Sequence, residues 1–277
     1  MYTINCKGKI INLEKPIVMG IINATPDSFY KSDLDSGIEG ILKLSKKMLA
    51  DGASILDIGG QSTKPNAVPI SAQEEIDRVI PVIEALHNNN KDAIISIDTF
   101  NSRVAQLAVG AGASMVNDVS CGEMDIEMIN VVGTMGNVPY IGMHKRGTAA
   151  TMQSLTYYEN IIEEIKAYLE EKKQLFKNAG VKDFILDPGF GFAKTVTQNF
   201  TLLKNLSAFK SIQSPLLIGV SRKSSIYKTL AIAASEALNG TTVLNTLAIN
   251  NGANILRVHD VKEAVEVIKL MDVYKDA

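Results

Sequence analysis

Three times the chain repeats one small pattern. A helical stretch ends in Gly-Ala, a short apolar run follows, and the run ends on a polar side chain. Asp51-Gly52-Ala53 leads into SILDIGG, Ala111-Gly112-Ala113 into SMVNDVS, and Asn251-Gly252-Ala253 into NILRVHD. A glycine just past a helix can take the left-handed conformation that ends it. One junction built three times implies one helix-to-strand unit repeated along the chain. Apolar runs of the same kind predict strands at 17–23, 54–60, 93–99, 115–120, 138–144, 184–189, 215–221 and 255–260. Helical patterns between them predict helices at roughly 36–50, 71–88, 102–110, 124–134, 157–178, 198–209, 236–250 and 261–273. Ser71 with Glu74 reads as a capping box for the second.

Near-continuous apolar strands alternating with helices indicate a parallel sheet covered by helices. Eight such units favour closure, so the fold class expected is α/β, a (β/α)₈ TIM barrel. The 277 residues suit one such domain spanning 1–277. TINCKGKIINL near the start is expected to form a short hairpin closing the bottom of the barrel. Helix 157–178 carries EEIKAYLEEKK, a solvated charged face.

Composition narrows the function classes. Net charge is −2 and no basic stripe occurs, so no nucleic-acid or anionic-membrane partner is expected. No run approaches the ~18 apolar residues that span a bilayer, and MYTINCKGKIINLEKP is too polar for a signal peptide. Cys6 and Cys121 lack metal or redox spacing, which points to a reducing cytoplasm.

In a barrel of this kind the chemistry lies at the carboxyl ends of the strands. Those ends carry Asn23, Asp57, Asp98, Asn117-Asp118, His144, Asp187, Ser221, and Arg257 with His259-Asp260. Polar groups ending apolar strands are costly in a dry core without partners, so a ring of them marks a ligand site. Asp98, Asn117 and Asp187 could read the donor edge of a planar heterocycle, a carboxylate accepting two parallel hydrogen bonds. Ser221, Lys223, Arg257 and His259 belong to strands seven and eight, where barrels frequently bind phosphate. Asn23 and Asp57 are oxygen donors suited to Mg²⁺, which takes few protein ligands. Asp118 and Asp260 read as readily as structural residues, helix caps or ion-pair members, as they do as members of the ring. ATPDSFYKSDLDSG and QSTKPNAVPIS, after strands one and two, are long enough to close over a substrate.

Other site types fail. The three histidines make no H-x-H on strand one, against a His-rich metallohydrolase, and His87 in EALHNNN reads as a surface residue. No strand end presents a lysine suited to a Schiff base. GFGFAKT lacks the G-x-x-x-x-G-K-[ST] spacing of a phosphate loop.

MGIINATPDSF, DIGGQSTKP with PISAQEEIDRVIPVI, SIDT, ND, MHKRGTAATMQ, LDPGFGFAKT, GVSRKS and RVHDVKEAV occur in order over nearly the whole chain. Together they resemble the dihydropteroate synthases, the pterin-binding barrels of folate synthesis. The resemblance implies condensation of 6-hydroxymethyl-7,8-dihydropterin pyrophosphate with p-aminobenzoate, releasing pyrophosphate, and a sulfonamide target. It implies that Asp98, Asn117 and Asp187 hold the pterin, with Lys223 on its ring and Phe192 and Gly219 shaping the pocket. Asn23, Arg257 and His259 would bind pyrophosphate, with Mg²⁺ near Asn23. Thr63, Pro65 and Ser221, with Lys64 beside them, would seat p-aminobenzoate, and Phe29 would cover it. A homodimer through barrel-side helices is also implied.

The chain departs from the family at four points. Lys64 stands where arginine is usual, keeping the charge but losing the planar fork. The first loop lacks the common Asp-Gly-Gly after SF. Gln61 replaces a common glutamate and Ala193 a common glycine. Two other readings stay open: a methyltetrahydrofolate-binding corrinoid methyltransferase, and a non-catalytic pterin-binding paralogue.

Overall fold

The structure is a computed structural model that describes residues 2–25, 37–62 and 67–277. Two antiparallel strands come first, β1 (Thr3–Cys6) and β2 (Lys9–Asn12). The barrel follows. Its strands are β3 (Ile17–Asn23), β4 (Ile55–Gly59), β5 (Ile95–Asp98), β6 (Met115–Asp118), β7 (Tyr140–Met143), β8 (Phe184–Asp187), β9 (Leu217–Ile218) and β10 (Ile255–Val258). The helices are α1 (Ile38–Ala50), α2 (Ala72–Asn89), α3 (Ser102–Ala111), α4 (Glu127–Gly133), α5 (Ile161–Ala179), α6 (Val196–Lys204), α7 (Ser224–Leu230), α8 (Leu238–Asn250) and α9 (Val261–Asp276).

All eight barrel strands are parallel, in the order β8-β7-β6-β5-β4-β3-β10-β9. A parallel bridge from Leu186 to Leu216 joins β8 to the segment entering β9 and closes the ring. The expected barrel therefore forms. Gly52, Gly112 and Gly252 have φ of 105°, 127° and 108°, so the repeated Gly-Ala junction is one left-handed helix stop built three times.

Side chains alternate along each strand. Val18, Leu56, Ile97, Val116, Tyr140, Leu186, Ile218 and Leu256 face the helices. Met19, Ile55, Met115, Ile141, Ile185, Leu217 and Ile255 fill the interior and pack on Ile4, Cys6 and Leu13, so the N-terminal hairpin plugs the bottom as expected.

The register sorts the interior into levels drawn from alternate strands. Ile55, Met115, Ile185 and Ile255 form the lowest, and Met19, Ser96, Ile141 and Leu217 the next. The third level is Asp57, Asn117, Asp187 and Arg257. The apolar filling stops there, and a polar floor begins.

Some details differ from the sequence reading. A seven-residue helix, α7, was too short to show a period beside α8. Ser71 caps α2 by accepting from the Glu74 N–H at 3.1 Å, but Glu74 turns its carboxylate to Arg78 instead of completing the box. His87 is half-buried against Gly112, where an added Cβ would come within 2.5 Å of its ring, so it is not a plain surface residue.

Candidate active site

Arg257 organises the polar floor. Its Nε donates to Asp57 Oδ2 at 2.6 Å, and its Nη2 donates to Asp98 Oδ2 at 2.6 Å. Asn117 Nδ2 also donates to Asp57 Oδ2, at 2.9 Å. The two halves of the ring expected from the sequence, heterocycle-reading and phosphate-binding, are thus joined through one guanidinium. That guanidinium serves two carboxylates, so neither is fully compensated. Burial raises the proton affinity of the Asp98 carboxyl, while Arg257 pulls it back. Asp98 and Asp57, in turn, hold the Arg257 proton firmly.

Asp57 is a correction. It was expected as a Mg²⁺ ligand, but it is wholly buried and its Oδ2 is already taken by a guanidinium and an amide. A second cation there would meet Arg257 head on. Asn23 differs: it ends β3 with an exposed side chain at the mouth, a position that suits a hard cation sharing an anionic ligand.

Asp187 ends β8, buried, with Oδ1 accepting from the Gly189 N–H at 2.7 Å. Burial raises its proton affinity, opposed first by Lys223. Lys223 begins α7. Its ammonium donates to the Phe190 carbonyl and lies 5.0 Å from the centre of the Phe192 ring. Burial lowers it to about 8, against the pull of Asp187. Gly219, on the level above the floor, has room: an added Cβ would only touch Arg257 Cβ at 3.8 Å and Lys223 Nζ at 3.9 Å.

Two cross-strand rungs stand at the ends of β9 and β10. Ser221 Oγ lies 3.0 Å from His259 Nδ1 and accepts from the His259 N–H at 3.2 Å. The hydroxyl can also donate its own hydrogen to Nδ1 when that nitrogen is unprotonated. One residue further on, Arg222 grips Asp260 with Nε and Nη2 at 2.9 and 2.8 Å. Asp260 is thus an ion-pair member and makes no side-chain cap of α9. Arg222, which sequence reasoning passed over, sits at φ 54° and also takes Thr241 Oγ1 on its N–H. Its side chain points away from those of Ser221 and Lys223, which the alternation of a strand end would have suggested.

Asp118 is neither cap nor ion pair. It faces outward, accepting from Ser120 N–H and Oγ at 2.7 Å, Gly122 N–H at 2.8 Å and Tyr140 Oη at 2.6 Å. It ties down the turn after β6. A buried acid that the sequence reading missed is Glu75, 1% exposed behind Gly60 and 3.4 Å from Gln61 Nε2. Burial pushes it up to about 7. His144 is buried beside Lys194 rather than open to the mouth. Phe29, Thr63, Lys64 and Pro65 lie outside the described residues.

Asp57, Asn117 and Asp187, buried, and Asp98, Lys223 and Arg257, partly exposed, therefore form one polar floor, with Ser221 and His259 on one rim and Asn23 at the mouth. Such a floor can satisfy the donor edge of a flat ring while cations beside it hold an anion.

Residues 19–259 match the model of the pterin binding enzymes. A dihydropteroate synthase from Synechocystis is 43% identical over 262 residues, covering 94% of this chain and 90% of the relative. The Escherichia coli K12 dihydropteroate synthase is 37% identical over 269 residues, 96% and 94% of the two chains. A Yersinia pestis dihydropteroate synthase structure with a sulfonamide drug complex superposes with a TM-score of 0.94 at 35% identity, over 100% of both chains. A Xanthomonas albilineans dihydropteroate synthase in complex with 7,8-dihydropteroate gives 0.89 at 33%, again over 100% of both. Matches of this kind, over nearly the whole chain and on the same barrel, establish that the chain belongs to the pterin-binding enzymes, in the dihydropteroate synthase family.

Proposed function

We propose that the chain condenses 6-hydroxymethyl-7,8-dihydropterin pyrophosphate with p-aminobenzoate, giving 7,8-dihydropteroate and pyrophosphate. The observation that carries this reading is the floor of Asp57, Asn117, Asp187 and Arg257, with Asp98 and Lys223 against it. The enzyme is a transferase by family.

In this reading the pterin lies on the floor with its N–H and amino edge toward Asp98 and Asp187. Asn117 gives one amide hydrogen to Asp57, which leaves its carbonyl oxygen and second N–H for a ligand. Lys223 and Phe192 flank the ring. Pyrophosphate points to the rim at His259 and Asn23, with Arg257 beneath. The bond to break joins the exocyclic CH₂ to the pyrophosphate oxygen. Its departure leaves positive charge delocalised into the pterin, and the carboxylates of Asp98 and Asp187 face that charge. Cationic side chains face the leaving group. Such placement stabilises a dissociative, S_N1-like transition state. p-Aminobenzoate is neutral at its amine near pH 7 and can lose a proton after the C–N bond forms, so no strong base is required. Ser221, with the second-loop residues 63–65, is the seat assigned to p-aminobenzoate.

Mg²⁺ fits Asn23 as its one side-chain ligand, and when bound it would offset charge on the pyrophosphate oxygens. A homodimer is supported by exposed Val243 and Leu247 on α8 and Leu270, Val273 and Tyr274 on α9. Among the described residues no helix is long and apolar enough to cross a membrane. Two buried free thiols support a cytoplasmic setting.

The test adds the pterin pyrophosphate, p-aminobenzoate and Mg²⁺ and follows pyrophosphate. Release that depends on p-aminobenzoate supports the synthase. Pterin binding without such release would leave a non-catalytic paralogue, and methyl transfer to a corrinoid would favour the methyltransferase.

A further inference from the structure

The segment GFGFAKT carries a lysine, Lys194, that the reading above does not use. Its Nζ turns back into its own loop. It donates to the Gly189 carbonyl at 2.8 Å and the Phe192 carbonyl at 3.0 Å, and it lies 3.2 Å from His144 Nδ1. Lys194 is 5% exposed, so these three groups are its surroundings. An ammonium has three hydrogens and here meets three acceptors. A phosphate would find this lysine already spent.

The backbone explains why the carbonyls converge. Gly189, Gly191 and Ala193 have φ of 74°, 82° and 49°, so the loop coils left-handed at alternate residues. Ala193 takes that conformation at some cost, having a Cβ. Coiling brings the carbonyls of residues 189 and 192 onto one point, where two partial negative charges need a cation. His144 arrives from the neighbouring strand end. Its N–H donates to the Asp187 carbonyl at 2.9 Å, and its ring packs edge-on against Tyr168 at 5.0 Å. A Cβ on Gly189 would stand 1.9 Å from the His144 carbonyl, so loop and strand end touch directly.

We propose that Lys194 and His144 form a positioning pair that fixes the Asp187–Thr195 loop as the pterin-side wall of the site, an inference that rests on the pterin reading above. The pair acts through two residues that would touch the ligand. By anchoring the Gly189 carbonyl it keeps that residue's N–H on Asp187 Oδ1, which orients the carboxylate. By anchoring the Phe192 carbonyl it keeps the aromatic ring beside Lys223. His144 must be neutral to accept at Nδ1. Burial and the nearby Lys194 charge push its proton affinity down to about 2, which agrees.

The experiment compares Lys194→Met, which keeps the stem and removes the donors, with His144→Leu and His144→Asn. Asparagine places an acceptor near the Nδ1 position. For Lys194→Met the KM for the pterin pyrophosphate should rise about tenfold or more, because a small displacement of a positioning shell is enough. The KM for p-aminobenzoate should stay within about twofold. His144→Leu should share the defect, His144→Asn should recover most of it, and Lys194→Met/His144→Leu should be no worse than Lys194→Met alone. Amide exchange at residues 189–195 should speed up in Lys194→Met. Equal losses for both substrates, or a lowered Tm with wild-type KM values, would overturn the pair. If Lys194→Met does not fold, the His144 variants decide: indistinguishable Leu and Asn proteins would overturn it. If the wild-type chain forms no dihydropteroate, the synthase reading fails, and amide exchange in folded variants decides alone, with unchanged protection counting against the pair.

Discussion

Arg257 Nε lies 2.6 Å from Asp57 Oδ2, reaching from β10 past β3 to β4, while its Nη2 holds Asp98 at the same distance. The pair is the keystone of the barrel mouth before any ligand arrives. Removing one partner of a buried ion pair leaves the other uncompensated. Arg257→Ala should therefore cost about 3–5 kcal/mol in urea unfolding of the ligand-free protein. Arg257→Lys, keeping charge without the fork, should recover part of it. A loss under about 1 kcal/mol would show that the carboxylates do not need the guanidinium.

Asp187→Asn keeps an oxygen for the Gly189 N–H but removes the charge facing the pterin. A hydrogen bond to a charged group contributes about 1.5–3 kcal/mol, so pterin affinity should fall about tenfold or more by calorimetry. Unchanged affinity would remove Asp187 from the pterin site.

Glu75 gives a pH signature. Its folded pKa is raised to about 7 from 4.5, chiefly by burial. A raised carboxyl contributes stability fully below about 4.5, and that stability is lost as pH rises through about 7. Glu75→Gln never ionises. Its Tm should match the wild type near pH 4 and exceed it by several degrees near pH 8.5. A Tm difference independent of pH would contradict a buried titrating acid.

Two glycines of the site should respond oppositely to alanine. At Gly189, φ is 74° and the new Cβ would clash with the His144 carbonyl at 1.9 Å. Gly189→Ala should lose more than about 2 kcal/mol of stability, or fail to accumulate in soluble form. At Gly219 the new methyl meets nothing closer than 3.8 Å. Gly219→Ala should keep a near-wild-type Tm but bind pterin more weakly, because the methyl enters the pocket. A reversed order of stabilities would refute the loop geometry.

The Arg222–Asp260 pair should be measurable as coupling. Both Arg222 donors are bidentate on one carboxylate, and neither side chain is more than 28% exposed. A double-mutant cycle with Arg222→Met and Asp260→Asn should give about 1 kcal/mol or more of interaction energy in chemical unfolding. Additive losses would reduce the rung to a surface ion pair.

The residues themselves made much of this legible. Apolar runs of one length ending on polar groups gave away the strands, because period and burial are local properties of a strand. β9 was overdrawn at 215–221, since only Leu217–Ile218 pair regularly and the following residues turn to present Ser221 and Lys223. Asp118 and Asp260 could not be separated by their neighbours in sequence. One binds a turn four residues long and the other an arginine 38 residues away.

By itself the sequence determined the eightfold strand-helix repeat, the ring of polar strand ends and the family, since each is written in short-range spacing. Tertiary structure alone decided the partnerships within that ring. Arg257 is 200 residues from Asp57 and 159 from Asp98. Only the closed barrel and its register place those groups on adjoining levels, where one guanidinium must answer a buried carboxylate and a partly exposed one. The same closure brings Asp57 onto an arginine from the far end of the chain, and the turn after β8 folds the lysine of GFGFAKT back onto the carbonyls of Gly189 and Phe192.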